Sequence, residues 1–258
     1  MSRFGIVLRK TGAVAAATAM LLTMGTGVVT TQAKTSVPYT VTVAKKYTNT
    51  QSDKQMSAKV TIPKITVTGA DGEVLKTQSD KLNAAIARYQ NAFIKNYKKD
   101  VANIEEGQKG NESLTSKYQV VTDNDTLFTL RIDTVIAMGG SQSYVKLFNV
   151  DKKTGNMLTL KDLFTDGSDY RTRIYENIRK QMQKQMQDDE TVSYFLDEGA
   201  DGFNRKSISS KTNFYINAKG QLTLVFDKYE VAPGSMGIVE FSVPTSVVAD
   251  IAADGYLK

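Results

Sequence analysis

Between residues 79 and 106, apolar side chains recur every three or four positions, at Leu82, Ile86, Tyr89, Phe93, Tyr97, Val101 and Ile104. That spacing puts them on one face of a long helix, which Gly107 stops. Lys81, Arg88, Lys95, Lys98 and Lys99 fall on the other side and read as a solvated face. A second stripe of the same period runs through Tyr170, Ile174, Ile178, Met182 and Met186, with Ser168 placed to cap its start. Elsewhere the period is two. Residues 56–68 alternate through Ala58, Val60, Ile62, Ile65 and Val67, and Pro63, which has no N–H for a ladder, marks an edge strand with a bulge or two short strands. Residues 114–122, 127–137 and 144–150 are β-branched and aromatic and are separated by Asp123-Asn124-Asp125 and Gly139-Gly140-Ser141-Gln142, the pattern of an antiparallel meander. Residues 157–160 predict a further strand and residues 192–196 a short helix. Residues 213–216 and 221–227 predict a hairpin, 238–243 a strand, and Pro244-Thr245 opens a short terminal helix. Without regular strand–helix alternation the class is α+β: an antiparallel sheet meander with two main helices packed against it and a short C-terminal helix.

The N-terminus changes the compartment. Arg3, Arg9 and Lys10 precede an uncharged run from Thr11 to Ala33 that ends in small residues at Thr31 and Ala33, the pattern of a secretory signal peptide cleaved after Ala33. Left uncleaved, the run is about as long as a minimal membrane anchor. Residues 1–33 are thus expected to be a signal peptide or anchor, residues 34–54 mostly a Thr/Ser/Lys-rich linker whose weak alternation at Tyr39, Val41 and Val43 leaves room for an edge strand, and residues 55–258 one exported domain with a looser first half (55–150) and a clearer second half (151–250). With no cysteine in the chain there is neither a lipobox nor a disulfide, which fits a Gram-positive envelope. Removing the signal lowers the net charge from +6 to about +3, so the basic balance belongs largely to targeting. Basic runs interleaved with aromatics are missing, which argues against nucleic-acid binding.

Zero His and zero Cys exclude Ser-His-Asp and Cys-His nucleophiles, thiol redox chemistry and the usual zinc ligands; no cofactor or metal is expected. Ser143-Tyr-Val-Lys146 and Lys153-Thr154-Gly155 match penicillin-binding signatures letter for letter. They fall on a neighbouring strand and turn, where that chemistry needs a helix start and a remote strand. Asp188, Asp189, Glu190, Asp197, Glu198 and Asp201 contain enough carboxylates for a two-acid glycan hydrolase, and equally describe a solvated helix end and loop. Asp123-Asn124-Asp125 begins like a calcium loop but lacks its sixth-position Gly and twelfth-position Glu, and reads as a hairpin turn.

Two segments carry a resemblance. Residues 148–164, with Phe148, Asp151, Thr154, Gly155, Leu163 and Phe164, and residues 213–233, with Phe214, Phe226, Asp227, Tyr229, Val231 and Pro233, resemble in order and spacing the RsiV-like extracytoplasmic domain family. That family also accompanies the deacetylase domain of PdaC-like wall enzymes. The resemblance runs from about Ser57 to Pro244. It implies a secreted or envelope-tethered, non-enzymatic binding or sensor module that engages lysozyme or another envelope protein; peptidoglycan is the alternative partner. Only ten residues precede the apolar run, too few for a helical segment that holds a sigma factor, so the module is expected without that part. Gly139-Gly140-Ser141-Gln142 stands where the family commonly shows Gly-Gly-Ala-His, and the segment from Tyr229 to Gly237 aligns with its Tyr-Glu-Val-Ala-Pro-Tyr-Ala-Ala-Gly loop, with Gly234 at an aromatic position. Both join strands and carry glycines that let a partner approach the backbone. The binding candidates are therefore Tyr229, Glu230, Pro233, Met236, Gly237, Gly139, Gly140 and Gln142, with no catalytic residue.

Overall fold

The computed structural model describes residues 38–196 and 202–257. The expected signal peptide lies outside them, as do Asp197, Glu198 and Asp201. Among the described residues no helix is long and apolar enough to cross a membrane. Among the described residues nine strands form two sheets. The first contains β1 (Thr40–Gln51), β2 (Met56–Thr66), β3 (Glu112–Asp123), β4 (Leu127–Met138), β5 (Gly140–Asp151) and β6 (Met157–Leu158) in that spatial order; the second contains β7 (Asn213–Ile216), β8 (Leu222–Phe226) and β9 (Val239–Val243). All neighbours are antiparallel except β2 and β3, which are joined by helix α1 (Lys76–Asn103) and pair in parallel.

That parallel pairing lasts only from Ser57–Ser113 to Val60–Ser116. Past it, the edge of β2 would be left without partners beneath the helix, and polar side chains on the inner face of α1 replace them. Gln90 Nε2 donates to Thr61 O at 3.0 Å, Asn83 accepts from Ile65 N and donates to Ile65 O at 2.8 Å each, and Ser79 Oγ accepts from Val67 N at 2.9 Å. Buried backbone groups must be paired, and a helix laid along a strand edge meets that need with side chains where no strand is at hand.

Most of the stretch expected to be mainly linker, residues 34–54, is the edge strand β1 that its weak alternation left room for. Its apolar content is low because it is an edge strand with most side chains in solvent, so its sequence is barely distinguishable from a tether. The register shift between Val43 and Lys45 sits opposite Pro63, as the missing N–H requires. Ser168 does not cap helix α2 (Tyr170–Asp188): its hydroxyl is buried without a partner, and Asp169 stands at the cap position, tied to Arg173 at 2.9 Å. Residues 192–196 are not helical either. Five residues cannot nucleate a helix unaided, and Phe195 N–H donates to Val231 O at 2.9 Å instead.

Helix α1 packs Leu82, Ile86, Ile94 and Tyr97 onto Val60, Leu114, Phe128 and Ile132 of the first sheet. Helix α2 packs Ile174, Ile178 and Met182 onto Phe214, Leu224 and Phe241 of the second, with the short helix α3 (Thr245–Val248) contributing Val248. The sheets meet along the free edge of β5. There Asn213 accepts from Leu147 N at 3.2 Å and donates to Val145 O at 2.7 Å, Asn149 donates to Phe214 O at 2.9 Å, and Asp227 accepts from Val145 N at 2.6 Å. Amide and carboxylate side chains thus stand in for a strand and bring the end of β8 beside the start of β5.

Candidate functional site

The seam places the two candidate segments side by side. The β4–β5 hairpin turns at Gly139, whose φ is 64°, and enters β5 at Gly140. Ser141 and Ser143 meet the loop that follows β8. Lys228 N donates to Ser143 O at 3.1 Å, Gln142 Nε2 donates to Lys228 O at 2.9 Å, and Lys228 Nζ reaches Ser141 O at 2.7 Å and Ser141 Oγ at 3.0 Å. From sequence alone Ser141 and Asp227 have places in the candidate segments but no role, and Lys228 is not singled out. Their contacts span more than eighty positions of chain, and no local pattern marks them.

At the outer end of the loop stands Tyr229, 54 % exposed and held at φ 72°. The left-handed region is uncommon for a bulky non-glycine residue, and residues held there cost on the order of 1–3 kcal/mol unless their surroundings fix them. Two contacts do so. The Tyr229 ring lies where a Cβ on Gly234 would be, 2.2 Å from the ring atoms, and Lys228 Nζ stands 5.0 Å from the ring centroid. Gly234, with no side chain of its own, therefore makes room for this tyrosine. Below it, Glu230 Oε2 accepts from Asp227 N at 2.8 Å while Glu230 N donates to Asp227 O at 3.0 Å, and Val231 and Ala232 are buried. Pro233 leads into a 3₁₀ turn over Gly234–Met236, Met236 packs partly against the core of the second sheet, and Gly237 leaves the turn at φ 66°. Of the loop candidates Tyr229 and Glu230 are exposed, the Glu230 carboxylate being turned back onto Asp227 N, whereas Pro233, Met236 and Gly237 are half-buried and shape the corner that presents the ring.

The groups behind the loop are electrostatically coupled. Burial raises the Asp227 carboxyl above the ordinary aspartate range, opposed by the Val145 N–H and Lys146. Burial likewise lowers the Lys146 ammonium, with Asp227 pulling it back up. The penicillin-binding match fails on the geometry: Ser143 and Lys146 are three apart on β5, and side chains at odd separation on a strand point to opposite faces. Of the acidic cluster, Asp188 is paired with Lys184 at 2.8 Å, and Asp189 accepts from Thr191 N and Oγ1 at 2.9 and 2.7 Å. Those bonds lower the Asp189 carboxyl, opposite to the shift a general acid needs. Among the described residues no group of three or more ligand-type side chains converges as for a metal ion.

Residues 161–246 match the family described as a protein of unknown function (DUF3298). The chain is 38% identical over 156 residues to the anti-sigma-V factor RsiV of Bacillus subtilis (strain 168), covering 60% of this chain and 54% of that protein. It is 23% identical over 190 residues to the peptidoglycan-N-acetylmuramic acid deacetylase PdaC of the same organism, covering 70% of this chain and 38% of that one. The chain thus spans about half, or less, of these curated relatives. Among solved structures, a DUF3298 family protein from Pseudomonas aeruginosa PAO1 superposes with a TM-score of 0.54 at 15% identity over 84% of this chain and 94% of that one. A member of the family from Bacteroides fragilis NCTC 9343 gives 0.50 at 16% over 86% and 95%. These two likenesses show the fold.

Proposed function

From a chain whose residues 161–246 carry a DUF3298 domain, we propose an extracytoplasmic, non-enzymatic binding or sensor module that engages an envelope protein such as lysozyme through Tyr229 and the adjoining 139–142 hairpin. The observation that carries the reading is the strained, exposed Tyr229 ring, braced by Gly234 and Lys228. A rigid aromatic presented at a loop tip is the kind of anchor that dominates protein interfaces. Similarity to RsiV, an anti-sigma factor by name, supports a sensor in preference to a catalyst, and the absence of His and Cys from the whole chain narrows the chemistry open to an enzyme.

Titration of the exported protein with lysozyme, alongside sedimentation with purified sacculi, tests the proposal. Binding to lysozyme that weakens by about 1–2 kcal/mol in Tyr229→Ala, with an unchanged circular dichroism spectrum, is the expected result. Full affinity in that variant, or association with sacculi alone, would overturn it.

A further inference from the structure

Across β1, β2 and the start of β3 the first sheet has a face that nothing in the described structure covers; over β4 and β5 the same face is closed by the second sheet, where Val145 and Leu147 meet Val225 and Tyr215. Ala58, Val60 and Leu114 of β2 and β3 point to α1, so Lys59 and Lys117, one position out of phase, point the other way, together with Lys46, Thr48 and Thr50 of β1. All five are exposed, and Ser57 and Thr115 are half-buried between them. The registers place the lysines in a zigzag. Thr48 pairs with Lys59 and Lys59 with Thr115, so Lys46 and Lys117 each lie diagonal to Lys59, at about 7–8 Å in an ordinary sheet.

Lysine on a solvated sheet face has a plain explanation when the strand is an edge, where it deters pairing with other chains. That accounts for Lys46. It does not account for Lys59, because β2 has neighbours on both sides, where lysine is disfavoured and like charges repel; Lys117, on the similarly flanked β3, stands opposite Asp133 in the ladder. Among the described residues none of the three lysines has a carboxylate within ion-pair distance, and Asp133 on the same face is held by Arg131 at 2.7 Å. Arg131 in turn bonds Glu240 at 2.6 Å, so its guanidinium fork is occupied and bidentate capture of phosphate is not on offer. Aromatic residues, needed to stack bases, are missing from this face, as is a large apolar cluster to anchor a protein. What remains is a flat array of point charges set among hydroxyls that both donate and accept.

We propose that this face binds an extended, carboxylate-bearing polysaccharide running across β1, β2 and β3, its carboxylates over Lys46, Lys59 and Lys117 and its hydroxyls on Thr48 and Thr115. The site is separate from the Tyr229 loop.

The test is calorimetric titration of the exported protein with polygalacturonate, neutral dextran and inorganic polyphosphate at one low ionic strength. Polygalacturonate should bind and dextran should not. The double variant Lys59→Gln/Lys117→Gln should weaken polygalacturonate about tenfold. Thr48→Val/Thr115→Val, which removes hydroxyls with little change of shape, should weaken it about threefold, roughly the worth of one or two lost hydrogen bonds. Lys81→Gln/Lys95→Gln on α1 makes the same charge change elsewhere and should leave binding intact. The proposal is overturned if the α1 variant loses as much as the sheet variant, if the threonine variant loses nothing, if polyphosphate matches polygalacturonate, or if polygalacturonate does not bind. Tyr229→Ala should bind polygalacturonate like the unaltered protein, which separates this site from the loop.

Discussion

Glu112, the first residue of β3, is 3 % exposed, and its Oε2 has no hydrogen-bond partner. Burial raises its carboxyl above the usual glutamate range, and the charge of Asp100 on α1 adds to the shift. The sign follows directly. An acid whose folded pKa lies above its unfolded value favours folding in its protonated form, so the fold is relieved of the charge at low pH and bears its full destabilisation once pH has risen through the folded pKa. Glu112→Met, similar in length and next to Met138 in the ladder, should therefore raise stability at pH 7 by about 1 kcal/mol or more, with the gain shrinking as pH falls toward about 4. Urea denaturation of both proteins across that range measures it. A gain independent of pH would show that the ionised carboxylate is not the source of the cost.

Helix α1 carries two kinds of inward residue on one face, and they do different jobs. Leu82, Ile86 and Tyr97 fill the core, whereas Ser79, Asn83 and Gln90 finish the edge of β2 where its parallel partner ends. Phe93, expected mid-face, is half-buried between Tyr89 and Tyr144, with ring centroids 5.2 and 5.3 Å away. Gln90 also donates to Ser116 Oγ at 2.9 Å, which bonds Thr134 at 3.0 Å, so one amide links helix, β2, β3 and β4. Gln90→Leu keeps most of the volume and strands those acceptors. It should cost about 1–3 kcal/mol in thermal or chemical denaturation, against less than about 0.5 kcal/mol for exposed Lys95→Ala. Equal midpoints for the two variants would mean that the helix docks by apolar contact alone.

At the scale of the whole domain, two cores, each a helix on a sheet, are held in register by a seam of a few side chains. Asn213 makes two of its bonds to the edge of β5, at Val145 O and Leu147 N, and Asp227 a third at Val145 N. Asn213→Ala should destabilise the protein by about 1–3 kcal/mol through the unsatisfied backbone groups. It should also speed hydrogen exchange at Leu147 more than at Ile132, which sits in the middle of the ladder. Uniform protection at both amides would mean that the two sheets are joined mainly by the apolar contact of Val145 and Leu147 with Val225 and Tyr215.

Periodicity alone determined the two main helices, the β3–β5 meander and the β7–β8 hairpin, because each buries one face against a neighbour and its side chains must repeat at the helical or strand period. The 79–106 stripe became α1 at Lys76–Asn103, and the period-two runs became strands of the expected order. Residues 40–51 were only faintly legible as a strand because an edge exposed on nearly every side needs little apolar alternation. Tyr229 and the 139–142 turn were singled out by a family resemblance, supported by glycines at strand junctions. That they touch was decided by Asp227, Lys228 and Asn213, polar residues whose partners on β5 lie more than sixty positions away. The strain in Tyr229 and the room made for it by Gly234 belong likewise to backbone angles and to one ring lying over one glycine, which no one-dimensional pattern records. Burial periodicity is local and is written into the chain; a side chain completing another segment's hydrogen bonds is a property of the folded edge it meets.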